Sequence, residues 1–246
     1  MHYKSSSTEI KETKVTTSAP TFKVLSYIYT PFVERDEQGN IGGFETDILR
    51  AIAANQNIQL NFSLASAQTP WSTMFDMLAD KQEDLLSAGM YANDERRKRF
   101  DISDPYMKSQ FAFLAKGQPV NTLEDLKGKK LALMENSIAY REIEPLAQDN
   151  NITIVPIKSV YSGVSSVIRG DADVIYGDQV VLAYYANRFN KDKLFFHVNE
   201  SAKKYHFAFL ITKGNTELLN KINVGLAAIK EDGTLQQIID KWTKVK

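Results

Sequence analysis

The densest run of chemically able residues is DLLSAGMYANDERRKRFDISDPY. An apolar stretch ends at Gly89-Met90, and six charges follow in succession, Asp94, Glu95, Arg96, Arg97, Lys98 and Arg99. An arginine just beyond a buried strand can fork onto a carboxylate with two parallel hydrogen bonds. Such a run is also, and more commonly, a solvated helix end. Gly89 allows close backbone approach to a ligand. Asp178 ends the strand-like ADVIYG and precedes the helical QVVLAYYA, which suits a helix N-cap. Covalent and metal chemistry have little footing. The chain has no cysteine, and His2, His197 and His206 are scattered without metal-ligand spacing. It has no Gly-rich phosphate loop and no nucleophile elbow.

The elements that must carry these residues alternate between strand-like and helix-like patterns. FKVLSYIY reads as a strand, ERDEQGNIGG as a turn region and TDILRAIAAN as a helix with Asp47 in its first turn. QLNFSLA is a strand, and WSTMFDMLAD a helix with Trp71, Met74, Phe75 and Leu78 on one face. DLLSAGM is a short buried strand. A second series follows Pro105: strand FAFLAK, a short helix NTLEDLKG with Thr122 and Asp125 as a capping box, then strand KKLALM. Helix SIAYREIEPLAQ, strand ITIVPI, a helix over 159–169, strand ADVIYG and helix QVVLAYYANRF come next. The tail is one strand and two helices split at Asp232-Gly233. This alternation predicts an α/β fold in two comparable halves, each on a parallel sheet. A cleft between them would gather strand C-termini and helix N-termini, where small anions bind.

Several phrases in order resemble the family 3 periplasmic solute-binding proteins, the polar amino-acid receptors of ABC importers. They are PF with GNIGGFETDI, WSTMFDML with ED, AGM with DERRKRFDISDPY, LEDLKGKKLAL, VIRGDADVIYGD, and KGNTELLNKINVGLAAIKEDGTLQQIIDKW. The resemblance runs from about Phe22 to Trp242. It implies a two-lobe clam-shell of the type II periplasmic-binding-protein fold with two crossover hinge strands. Lobe 1 would be 22–107 plus 207–246, lobe 2 would be 111–203, and the hinge would lie near 107–110 and 204–206. Arg96 falls where the family grips the ligand α-carboxylate, and Asp178 where it receives the α-ammonium. Tyr29 and Trp71 match positions that sandwich the ligand from either side, while Phe32 and Phe75 read as core. Gly89 and Met90 would offer backbone groups, and Ser137 would meet the carboxylate at a helix N-terminus. Asp101, Ser103 and Tyr106 read as hinge supports. The sequence departs from the pattern at Tyr91, where a small Ser or Thr is usual, and at Asn93 and Asn136. Ser26 replaces an acid common in receptors for cationic amino acids, which argues against a Lys, Arg or His ligand.

Composition agrees with a binding role. Lys plus Arg and Asp plus Glu are 30 each, so the net charge is zero and nothing draws the chain to nucleic acid or an anionic membrane. No apolar run approaches the roughly 20 residues needed to span a bilayer. The start, MHYKSSSTEIKETKVTTSAP, reads as a polar tether over 1–21, left after an export signal or as a disordered tail. The expected molecule is a monomer without cofactor or metal, periplasmic or extracellular, that binds an amino acid or analogue and presents it to an ABC permease. Two other classes fit the same resemblance. One is a ligand-sensing module. The other is a cyclohexadienyl-dehydratase-like enzyme, for which Glu135 is the one candidate acid near the pocket.

Overall fold

A computed structural model describes residues 18–246. In chain order it begins with β1 (Thr21–Ser26), a small hairpin of β2 (Glu34–Arg35) and β3 (Ile41–Gly42), α1 (Phe44–Gln56), β4 (Gln59–Leu64), α2 (Trp71–Ala79), β5 (Leu85–Ser87), α3 (Asp94–Arg99) and β6 (Asp101–Ile102). After β7 (Met107–Ser109) a second series runs β8 (Phe111–Ala115), β9 (Lys130–Met134), α4 (Ile138–Ala147), β10 (Thr153–Ile157), α5 (Val160–Arg169), β11 (Val174–Asp178), α6 (Gln179–Arg188) and β12 (Phe195–Val198). The chain then returns through β13 (Tyr205–Phe207) and β14 (Leu210–Ile211) to α7 (Thr216–Glu231) and α8 (Thr234–Thr243).

The strands form two five-stranded sheets, β4-β1-β5-β14-β6 and β10-β9-β11-β8-β12. This is the two-lobe clam-shell. The longer helices bury the apolar stripes that their sequences carry: Ile48, Leu49 and Ile52 on α1, Met74 and Leu78 on α2, Val164 and Val167 on α5. The lobes are joined by a separate antiparallel ribbon in which β7 pairs with β13, Ser109 opposite Tyr205 and Met107 opposite Phe207. They also touch through α6, whose Val180 and Val181 pack into the first lobe's core. Asn187 on α6 donates to the Lys244 carbonyl at 2.8 Å beside the end of α8.

Several expectations need correction. The sheets are mixed, not parallel. β14 runs antiparallel to β5 and β6, and β8 antiparallel to β11 and β12, because the chain crosses between lobes and comes back. The single tail strand is two, since its first half pairs with β7 and its second enters the first lobe's sheet. The turn region after Phe32 contains the β2–β3 hairpin. The charged run 94–99 is itself helix α3, and Phe195–Val198 adds a strand the pattern did not reveal. The expected tether over 1–21 lies mostly outside the described residues, and β1 already begins at Thr21.

Candidate functional site

A cleft of about 820 Å³ opens between the lobes. One wall comes from loops that follow first-lobe strands: Tyr29 after β1, Gly89 and Met90 after β5, and Arg96 on α3. Trp71 and Phe75 on α2 complete it. The other wall is built from the starts of α4 and α5. Ser137 caps α4 by accepting the Tyr140 N–H at 3.1 Å, and Ser159 caps α5 by accepting the Ser162 N–H at 3.1 Å. These caps leave the remaining first-turn N–H groups of both helices for other partners.

The first wall is pinned from beneath by Glu45, which is only 1% exposed. Its Oε1 accepts the Ser87 hydroxyl at 3.0 Å and the Gly89 N–H at 2.9 Å, and its Oε2 accepts the Tyr106 hydroxyl at 2.6 Å. Burial pushes this carboxyl up to about 7, and the three donors only partly oppose the rise. Gly89 sits at φ +64°, and a Cβ there would lie 2.8 Å from both the Tyr29 and Phe32 rings. Only glycine lets the loop run so close under the aromatic floor. The Gly89 N–H is given to Glu45, so of the two backbone groups that residue could offer a ligand the donor is already used.

Arg96 is held in place from two sides. Its backbone N–H caps onto Asn93 Oδ1 at 2.8 Å, so Asn in place of the usual Thr still serves the helix start. Its Nη1 donates to the Tyr91 carbonyl at 2.5 Å, which fixes the guanidinium while other N–H groups remain. Burial shifts its pKa downward.

Tyr91 and Asp178 do not line this cleft. They line an adjoining cavity of about 130 Å³ that shares Tyr29, Met134, Ser137, Ile138, Val160 and Val181 with it. Asp178 Oδ2 accepts the Tyr91 hydroxyl at 2.5 Å and the Ser109 hydroxyl at 2.7 Å, while Oδ1 accepts the Val180 N–H at 2.8 Å and caps α6. Burial raises the Asp178 pKa against the pull of those donors. The Tyr91 phenol is pushed well above its ordinary value, first by burial and then by Asp178. Its ring stacks on Tyr205 and lies against Phe207, with centroids 4.8 and 4.7 Å away.

Two such lobes around a cleft walled by loops and helix starts have relatives among known proteins. The family model for bacterial extracellular solute-binding proteins, family 3, matches residues 24–245. The chain belongs to that family. It is 29% identical over 213 residues to the amino-acid-binding protein AabA of Dichelobacter nodosus, covering 86% of this chain and 83% of AabA. It is 29% identical over 233 residues to the arginine-binding periplasmic protein of Mannheimia haemolytica, covering 93% of each. Among solved structures, an ancestral cationic amino acid solute-binding protein superposes with a TM-score of 0.77 at 29% identity, covering 91% of this chain and 96% of that one.

In this family 3 protein, six of the eight residues singled out from sequence meet in the cleft: Tyr29, Trp71, Gly89, Met90, Arg96 and Ser137. Tyr91 and Asp178 stand together one cavity away. Phe32 is buried as core, and Phe75, half-buried against the core around Met74 and Phe100, also faces the cleft. Trp71 is 41% exposed and packs on Tyr27, whereas Tyr29 stacks on Phe32. Ser26 is fully buried and outside the cleft, its hydroxyl without a hydrogen-bond partner. Sequence reasoning missed Glu45, Arg141, Lys158 and Ser159. Ser159 was discoverable, because it repeats the strand-to-helix cap of Ser137. Glu45 stood inside the quoted GFETDI phrase without any sign that it would be buried.

Proposed function

We propose that the chain binds a free α-amino acid between its lobes and hands it to the membrane subunits of an ABC importer. One observation carries the reading. Arg96, anchored to the Tyr91 carbonyl, lines one wall of the cleft while the α4 start at Ser137 lines the other. A carboxylate between them would take paired N–H donors from Arg96 and helix-start N–H groups from the opposite lobe. Asp178, next door, is the one buried acid able to take the ammonium. To do so it would exchange or share the hydroxyl donors it now holds. Closure would bend the β7–β13 ribbon, over 107–110 and 204–206, and the closed state would be favoured by contacts that exist only there.

The role is binding without chemistry. Among the described residues the cleft lining holds no Asp, Glu or His, and Asp178 beside it is engaged as the α6 cap and as acceptor of the Tyr91 and Ser109 hydroxyls. Glu135, the acid a dehydratase would need, is exposed and outside that lining. An extracytoplasmic site of action accords with the family, and no helix among the described residues is long and apolar enough to cross a membrane.

Isothermal titration calorimetry against the common amino acids tests the reading. Arg96→Ala should abolish detectable binding, and Asp178→Asn should weaken it by about 2–5 kcal/mol, the scale of a broken buried charge pair. Wild-type affinity in both variants would refute the clamp. Release of phenylpyruvate from prephenate would refute the binding-only role.

A further inference from the structure

We propose that the cleft is built for an acidic amino acid, one carrying a second carboxylate on its side chain. The proposal rests on the amino-acid-binding reading above and names the ligand class for that same site.

Three cationic side chains line the cleft, Arg96 from the first lobe and Arg141 and Lys158 from the second. Among the described residues no Asp or Glu stands beside them in that lining. The ion pairs of the described residues lie elsewhere, between Arg99 and Asp76, Arg169 and Asp171, and Lys241 and Asp47. Arg141 Nη1 donates to the Asn136 carbonyl at 3.3 Å, which holds its guanidinium at the start of α4. Lys158 immediately precedes Ser159, the N-cap of α5. Both helices are ten residues long, and both present their positive ends to the same wall. The second lobe therefore faces the cleft with two cations and two helix starts.

Counting charges selects the ligand. An amino acid with a neutral side chain brings one carboxylate for Arg96 and one ammonium for Asp178. Arg141 and Lys158 then close over the ligand with no counter-charge, in a cavity from which water is being displaced. A cationic side chain would add another like charge to a wall that already carries two. A side-chain carboxylate meets both. Asp178 does not alter the count at that wall, because it lies in the adjoining cavity under the Tyr91 and Ser109 hydroxyls.

The experiment compares near-isosteric pairs that differ mainly in charge. Affinities for L-glutamate against L-glutamine, L-aspartate against L-asparagine, and L-arginine are measured by calorimetry on the whole chain. At least one acid should bind about tenfold or more tightly than its amide, with arginine weakest. Lys158→Gln and Arg141→Gln, both at exposed positions, should each shrink that preference by lowering acid affinity more than amide affinity. Amide or arginine binding as tight as the acid, and lost in Arg96→Ala, would overturn the acidic preference and leave the amino-acid reading intact. An acid preference unchanged in both variants would overturn the assignment to these cations. No binding of any α-amino acid would bring down the reading and the inference together.

Discussion

Glu45 is a carboxylate that folding makes a weaker acid. Its value rises from 4.5 to about 7, with burial as the main cause. Between those limits the folded chain keeps a proton that the unfolded chain has released. Stability therefore falls as pH rises through that window, and levels off above about 7. The expected span is about 3 kcal/mol. Asp36, Asp125 and Asp232 act in a different window, because their hydrogen bonds lower them below 3.8 and favour folding only above it. Glu45→Gln should make the fall between pH 4.5 and 7 shallower, leaving what Asp178, Glu34 and Glu83, also raised by burial, contribute in the same direction. Its amide oxygen can accept from Ser87 and Gly89, and its nitrogen can donate to the Tyr106 oxygen. Melting temperatures recorded across that range decide the matter, and parallel profiles for variant and parent would exclude Glu45 as the source.

The elements bring distant residues to one wall, and α5 shows how closely. Gly163 lies where a Cβ would come 2.2 Å from Ile157 Cδ1 and 2.7 Å from Ile175 Cδ1, so the helix rests directly on β10 and β11. Gly163→Ala should cost about 1–3 kcal/mol in denaturant unfolding, the range for overpacking a tight contact. It should also weaken ligand binding, because a lifted α5 carries Lys158 and Ser159 with it. Unchanged affinity would mean that the terminal methyls of Ile157 and Ile175 swing aside without moving the helix start. The helices were legible in the sequence because their stripes and caps are local: Thr122 and Asp125 do form a capping box, and Ser137 and Asp178 do cap their helices. Strand direction was not legible, since β8 and β14 owe theirs to partners far along the chain. The same holds for the site. Arg96 could be read from its setting after a buried strand, but Tyr91 and Asp178 are 87 positions apart and nothing local announces their hydrogen bond. Arg141 and Lys158 look like ordinary surface cations until the fold turns them to one cavity.

At the scale of the molecule, the ribbon between the lobes is short and two-stranded, while α6 and α8 keep a second contact beside it. Ligand should draw the lobes together, seen as a smaller radius of gyration in small-angle scattering. Arg96→Ala should leave that radius unchanged at the same ligand concentration. Contraction in the variant would mean that closure does not depend on the carboxylate clamp. The position of β14 bears on how such a molecule comes into being. Leu210 pairs with both Leu86 and Ile102, so a late strand sits in the middle of an early sheet. A chain leaving the ribosome can complete β8 to β12 while β5 still has a bare edge and β6 has no neighbour in its sheet. The lobe begun first is finished last. Until Leu210 arrives, that open edge is a place for a chaperone to hold, or for another unfinished copy to pair.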